Sequence, residues 1–225
     1  MMPKWWSKEF QTLSLGTQSN TDERLFFPAT ERNRDHLSKV LSEIMPKTGL
    51  ILEIASGSGE HGVAFQKHFP NICWQTSEPD PLYRRSISAW IRHKSLTRKM
   101  PEPLDLDVER RPWPLNKQLR SALKAIVCIN MIHICPWKCT QDLFKEARNL
   151  LKKDQLLMLY GPFSINGKQT SESNFRFNES LKAQNSSWGV RDLNDVSSIA
   201  INNKLEKLQV IDMPANNLSV IFQMK

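Results

Sequence analysis

The 225-residue sequence contains no run approaching the roughly 20 apolar residues that cross a bilayer. Its opening, MMPKWWSKEF, lacks the continuous apolar core of a secretory signal. Both absences lead to the expectation of a cytoplasmic protein without a membrane partner. Cysteine is scarce as well: Cys73, Cys128, Cys135 and Cys139 are too few, and too apolar in context, for a disulfide framework. No internal repeat and no low-complexity tract occurs. Acidic residues are outnumbered, 23 against 31 basic ones, leaving a net charge of +8. Much of the excess lies between Arg84 and Arg120, densest in RRSISAWIRHKSLTRK. A solvated helix face accounts for that run; an acidic partner such as RNA is the alternative.

What is present is an alternation of two periodicities. Leu37, Val40, Leu41 and Ile44 repeat at the 3-and-4 spacing of a helix, with Thr30 a candidate N-cap. GLILEIA then has strand character, HGVAFQKHF reads as helix, and NICWQTS as a second strand. LYRRSISAWIRH is helical, LDLDV a short third strand and AIVCIN a fourth. CTQDLFKEARNLL carries an apolar helix face, and QLLMLYG makes a fifth strand. LEKLQVIDM and LSVIFQMK close the chain as two strands joined by PANN. Alternating strands and helices imply βαβ units around a parallel sheet, and wholly apolar strands imply cover on both faces. The last two strands are too close in sequence for a parallel crossover, so they form an antiparallel hairpin. The expectation is a doubly wound, mostly parallel, seven-stranded α/β sheet with helices on both faces. Residues 1–24 read as an extension, residues 25–225 as one domain, and residues 164 to about 192 as an insertion long enough for a substrate lid.

The sharpest local signal is EIASGSGEHG, where Gly57, Gly59 and Gly62 fit G-x-G-x-x-G. Glu78 follows about 20 residues later, at the end of the second strand, where an acid binds ribose hydroxyls. Charge argues against a dinucleotide. Glu53 ends the first strand and would repel two phosphates, by about 1 to 4 kcal/mol at close range. S-adenosylmethionine carries no phosphate; its sulfonium and ammonium would be favoured by Glu53, and weakly by Glu60. On this reading Gly62 completes the fingerprint by coincidence.

The stretches PATERN, LEIASGSGEH, WQTSEPDP, NMIHICPW, LYGPF, WGVRDL and MPANNLS, in this order, resemble one family. It is the methyltransferase-like family catalogued as domain of unknown function 938, within the class I, Rossmann-like methyltransferases. The resemblance runs from about Arg24 to the C-terminus. It implies S-adenosylmethionine as cofactor and a methyltransferase activity, but not the acceptor. Carried onto this sequence, Gly57 and Gly59 admit the methionine part, Glu53 takes the ammonium directly or through water, and Glu78 binds the ribose. Asp107, with Asp105 as fallback, accepts from the adenine amino group, and Asn130 faces the cofactor. Ala55 departs from the wider superfamily, which has a glycine there.

For the acceptor, Asn130-Met-Ile-His133 is not the Asn/Asp-Pro-Pro-aromatic motif of nucleic-acid amino methyltransferases. His133 is a candidate general base just beyond the fourth strand, with Tyr160 a second catalytic candidate. Arg32, Asn33, Phe163, Asn174, Phe175, Trp188, Arg191, Asn216 and Asn217 are candidates for the substrate wall. Packing and turn-forming roles are the bland readings of Trp188 and the two hairpin asparagines. His133-x-Cys135-x-x-x-Cys139 offers only three ligands, so no metal is expected. The expected function is methyl transfer from S-adenosylmethionine to a small-molecule acceptor. The alternatives are an RNA-directed methyltransferase or RNA-binding module using the basic 84–120 region, and a silent domain that binds the cofactor without turnover.

Overall fold

Proline, not the expected threonine cap, starts the first helix. Pro28 stands in its first turn and Phe27 precedes it in extended conformation, since proline's fixed φ suits a first turn whose N–H would go unpaired. Thr30 lies inside the helix, buried, its N–H bonded to the Phe27 carbonyl. The structure, a computed structural model, describes residues 22–225. Most of the expected extension 1–24, with Trp5 and Trp6, therefore lies outside the described residues. Two compact units result, one reaching Asp107 and including Pro114–Leu123, the other formed by Val108–Trp113 with Lys124–Lys225.

The first unit contains α1 (Pro28–Ile44), β1 (Gly49–Ile54), α2 (Glu60–His68), β2 (Ile72–Thr76), α3 (Pro81–His93) and α4 (Lys117–Ala122). β1 and β2 pair in parallel, from Gly49↔Ile72 to Glu53↔Thr76. α3 buries Ser86, Ile87, Trp90 and Ile91, as the apolar spacing of the sequence implies, but Tyr83 in place of the expected Leu82, which is half-buried. Asp80 caps it by accepting from the Leu82 N–H at 2.7 Å. The segment LDLDV is not a strand: Leu104 makes only an isolated parallel bridge to Ser77.

The second unit contains β3 (Leu123–Ile129), α5 (Trp137–Leu150), β4 (Leu156–Gly161), β5 (Phe163–Ile165), β6 (Lys168–Gln169), α6 (Glu172–Gln184), β7 (Arg191–Asp192), α7 (Leu193–Asn202), β8 (Leu205–Met213) and β9 (Asn217–Met224). β3 and β4 are parallel, β4 and β9 antiparallel, and β9 and β8 form the expected hairpin. Two long strands in the first unit and four in the second thus stand where seven were expected, the difference being LDLDV. β5, β6 and β7 make a separate three-stranded sheet. The 164–192 segment is accordingly a built insertion with α6 at its centre, rather than a loop. No helix among the described residues is long and apolar enough to cross a membrane.

Candidate functional site

In the first unit, β1 runs into a loop whose backbone is mostly left-handed. Ala55, Gly57 and Gly59 have φ of 53°, 56° and 92°. Glycine is required at 59, because a Cβ there would lie 2.8 Å from the Ile87 Cα on α3. Ala55 holds a left-handed φ with a methyl group, a conformation costing on the order of 1 kcal/mol. The Ser56 N–H donates to the Ser77 carbonyl at 2.9 Å, and the Ser77 hydroxyl donates to the Glu53 carbonyl at 2.7 Å, stitching the loop to the end of β2.

Glu78 lies where the sequence placed it and is tied to the glycine loop. Its Oε2 accepts from the Gly57 N–H at 3.0 Å, and its Oε1 from the Asp80 N–H at 3.4 Å. The side chain is fully buried. Burial, with the Asp80 charge adding to it, pushes the carboxyl up to about 8. Asp107 is buried in the same unit, whereas the fallback Asp105 reaches solvent and pairs with Arg84 at 3.1 Å.

Glu53 and Gly62 depart from the sequence reading. The Glu53 carboxylate is held from two sides: its Oε2 accepts from the Trp74 indole N–H at 2.9 Å, and Ser56 of the loop bonds to it as well. It is 1% exposed, and burial pushes it up to about 7. An ammonium contact is not what this geometry offers. The cause is register: Ile51 pairs with Trp74, and strand alternation puts Glu53 on the same face as Ile51, diagonal to the indole. Gly62 is no coincidence. A Cβ there would sit 2.5 Å from the Thr76 methyl and 3.1 Å from Glu53 Oε2, so this glycine lets α2 lie close on β1 and β2. Asn33 accepts from the ring of His61 at 2.7 Å, holding α1 to α2, while Arg32 is exposed. Burial pushes His61 down to about 3, so its ring is neutral.

In the second unit, β3 ends at Asn130, which takes a left-handed φ of 62° and donates its N–H to the Tyr160 carbonyl at 2.8 Å. His133 follows in a short 3-10 turn and is completely buried. Its carbonyl accepts from the Gly189 N–H at 2.9 Å, and its Nδ1 from the Arg191 N–H at 3.4 Å, which leaves the proton on Nε2. Phe163 packs edge-on against the ring at 5.2 Å, and a Cβ on Gly161 would lie 2.4 Å from Nε2. Burial, with the Arg191 charge next, pushes the imidazole down to about 3. A ring so enclosed holds together the β3 turn and the Gly189–Arg191 segment; it does not stand open as a general base.

The other acceptor candidates are engaged in the same way. The Arg191 guanidinium donates to the carbonyls of Ile132, Cys135 and Ser187 at 2.9, 2.5 and 2.9 Å. Asn174 donates to Thr170 Oγ1 and to the Asn216 carbonyl, both at 2.9 Å, and Asn216 returns a bond to Ser173 at 3.0 Å. Asn217 bonds the Pro214 carbonyl within its own turn. Tyr160, Phe163 and Trp188 are buried, whereas Phe175 is exposed on α6. Of the wall candidates, Arg191, Asn174, Asn216 and Asn217 therefore fasten the insertion and hairpin in place. The cysteines are free thiols, and the Cys135 thiol is hydrogen-bonded to Cys139 and pushed up by burial.

A family model described as "Protein of unknown function (DUF938)" matches residues 24–224. Solved structures with the same fold include an O-methyltransferase family protein from Burkholderia thailandensis, with TM-score 0.71 and 12% identity over 88% of this chain and 57% of that one. An O-methyltransferase family 2 protein from Planctomyces limnophilus, in complex with apigenin, has TM-score 0.68 and 13% identity over 85% of this chain and 62% of its own. The geranyl diphosphate C-methyltransferase from Streptomyces coelicolor, in complex with Mg2+, geranyl diphosphate and S-adenosyl-L-homocysteine, has TM-score 0.65 and 11% identity, over 85% and 79%. The chain spans little more than half the length of the first of these. The fold is that of the class I methyltransferases.

Proposed function

The chain belongs to the DUF938 family, and we propose that it transfers a methyl group from S-adenosylmethionine to a small-molecule acceptor. The observation that carries this reading is the bond between Glu78 and the Gly57 N–H. It sets a carboxyl for a ribose diol against two left-handed glycines that keep the backbone bare for a ligand. Ala55, Gly57, Gly59 and Glu78 would hold the donor, and Asp107 its adenine amino group. Bound there, S-adenosylmethionine supplies an electrophilic methyl group. The neighbours in complex with apigenin and with geranyl diphosphate support an acceptor of similar size. His133 is enclosed, so proximity and orientation, rather than proton removal by that ring, are what these residues contribute.

An RNA substrate has less support. Within the basic run, Arg84 is paired with Asp105, and Arg85 and Arg92 face Glu23 at 3.9 and 3.2 Å. The enclosed His133 favours a second reading, a domain that binds the donor without turning it over. Calorimetric titration with S-adenosylhomocysteine and NAD tests the first step: the former binds, the latter does not. Glu78→Ala weakens that binding by about 1–3 kcal/mol, the cost of leaving buried polar partners without their hydrogen bonds. Wild-type protein that prefers NAD, or a Glu78→Ala variant of unchanged affinity, contradicts the assignment. Release of S-adenosylhomocysteine in the presence of candidate acceptors separates the enzyme from the silent domain.

A further inference from the structure

The segment before α1 is sewn onto the glycine loop. Leu25 N–H donates to the Ser86 hydroxyl at 2.8 Å, and that hydroxyl donates to the Ser58 carbonyl at 2.7 Å. The Trp90 indole N–H donates to the Leu25 carbonyl at 3.0 Å. Two residues on, the Phe27 N–H donates to Glu60 Oε2 at 2.7 Å, and the Ser58 hydroxyl donates to the same oxygen at 2.8 Å. The Phe27 ring lies 3.0 Å from the point where a Gly57 Cβ would stand, and meets Tyr83 edge-on at 5.6 Å. Leu25–Phe27 thus meets Gly57 and Glu60 directly and Ser58 through the Ser86 hydroxyl.

That arrangement explains Glu60. A carboxylate inside a ligand loop is costly unless bonded; here its Oε2 accepts from the strap and from Ser58. It also answers a difficulty of the loop itself. Glycines at 57 and 59 give the backbone its left-handed turn but restrain it less than other residues would, and a loop ordered only when ligand arrives lowers affinity by the cost of that ordering.

Resting on the reading of the loop as the S-adenosylmethionine site, we infer that Leu25–Phe27 is part of that site, with Phe27 a positioning residue. Its ring occupies the space left by the missing Gly57 side chain and fixes the loop in its ligand-ready form. Coupling runs both ways: whatever affinity the strap adds for the cofactor, the cofactor adds to the docking of the strap.

The test combines binding and amide exchange, with S-adenosylhomocysteine as probe. Phe27→Ala raises the dissociation constant about tenfold or more, while Phe27→Leu, which refills the space, stays within about threefold of wild type. In the wild type, S-adenosylhomocysteine slows exchange of the Leu25 and Phe27 amides, an effect that general loss of stability would not reproduce. If Phe27→Ala fails to fold, the wild-type exchange decides alone. Equal affinity in Phe27→Ala, or strap amides exchanging equally with and without ligand, overturns the inference while leaving the methyltransferase reading standing. A wild type that binds no S-adenosylhomocysteine overturns both.

Discussion

Two acids that look alike in the sequence have opposite surroundings. Glu53 and Glu78 each end a strand of the same parallel pair, yet Glu53 meets an indole beneath α2 and Glu78 a loop N–H. Spacing after the glycines places Glu78 beside the loop, and the structure has it bonded to the Gly57 N–H. Charge alone does not say where the Glu53 carboxyl lies; the pairing Ile51↔Trp74 accounts for its reach to the indole. The consequence is a contrast between two isosteric variants. Glu53→Gln keeps an acceptor for the Trp74 N–H, so its affinity for S-adenosylhomocysteine stays within about threefold of wild type, whereas Glu78→Gln loses about tenfold. Titration calorimetry on the pair measures this, and a tenfold loss in Glu53→Gln would return Glu53 to the binding site. His133 was legible as a residue beside the β3 end, but not as an enclosed ring. Its partners Gly161, Gly189 and Arg191 lie far along the chain, beyond the reach of local pattern.

Among elements, those with a strong apolar stripe were read from the sequence and those without one were not. α3 and α5 emerge from spacing alone. α4 buries no residue and owes its start to the Asn116 cap, so no periodic signal exists. α7 buries only Leu193, Val196 and Ala200, a stripe easily taken for part of the insertion. α2 depends on closeness more than on pattern, and Gly62 carries that closeness. Gly62→Ala should gain about 1 kcal/mol in helix propensity. It should nonetheless destabilise the protein by about 1–3 kcal/mol, because the β-branched Thr76 cannot withdraw its methyl without moving β2. Denaturant unfolding decides the sign; a stabilised variant would mean that α2 can lift from the sheet without penalty. For α6, held through Asn174 and Asn216, a lid role predicts slower amide exchange over 172–184 when S-adenosylhomocysteine and acceptor are both bound. Unchanged exchange reduces α6 to packing.

At the scale of the whole molecule, its buried ionisable groups set the pH range in which the fold is most stable. His61 and His133 are pushed from 6.5 down to about 3, so the stability linked to them is present above pH 6.5 and lost as pH falls toward 3. Glu53 and Glu78 are pushed the other way, from 4.5 up to about 7 and about 8. Their contribution is complete below pH 4.5 and is lost as pH rises through those values. Between pH 4.5 and 6.5 the two effects oppose and nearly cancel. The melting temperature should therefore be highest and flattest across that interval, and the alkaline decline should amount to about 3 kcal/mol between pH 6.5 and 8. Glu53→Gln removes the part of that decline which ends near pH 7. Calorimetric scans of wild type and Glu53→Gln from pH 4 to 9 distinguish this origin from a general effect of the net charge of +8. Self-repulsion among surface cations weakens as pH rises, so it would make the wild type more stable on the alkaline side, and a rise in melting temperature from pH 6.5 to 8 would show that repulsion outweighs the two buried carboxyls.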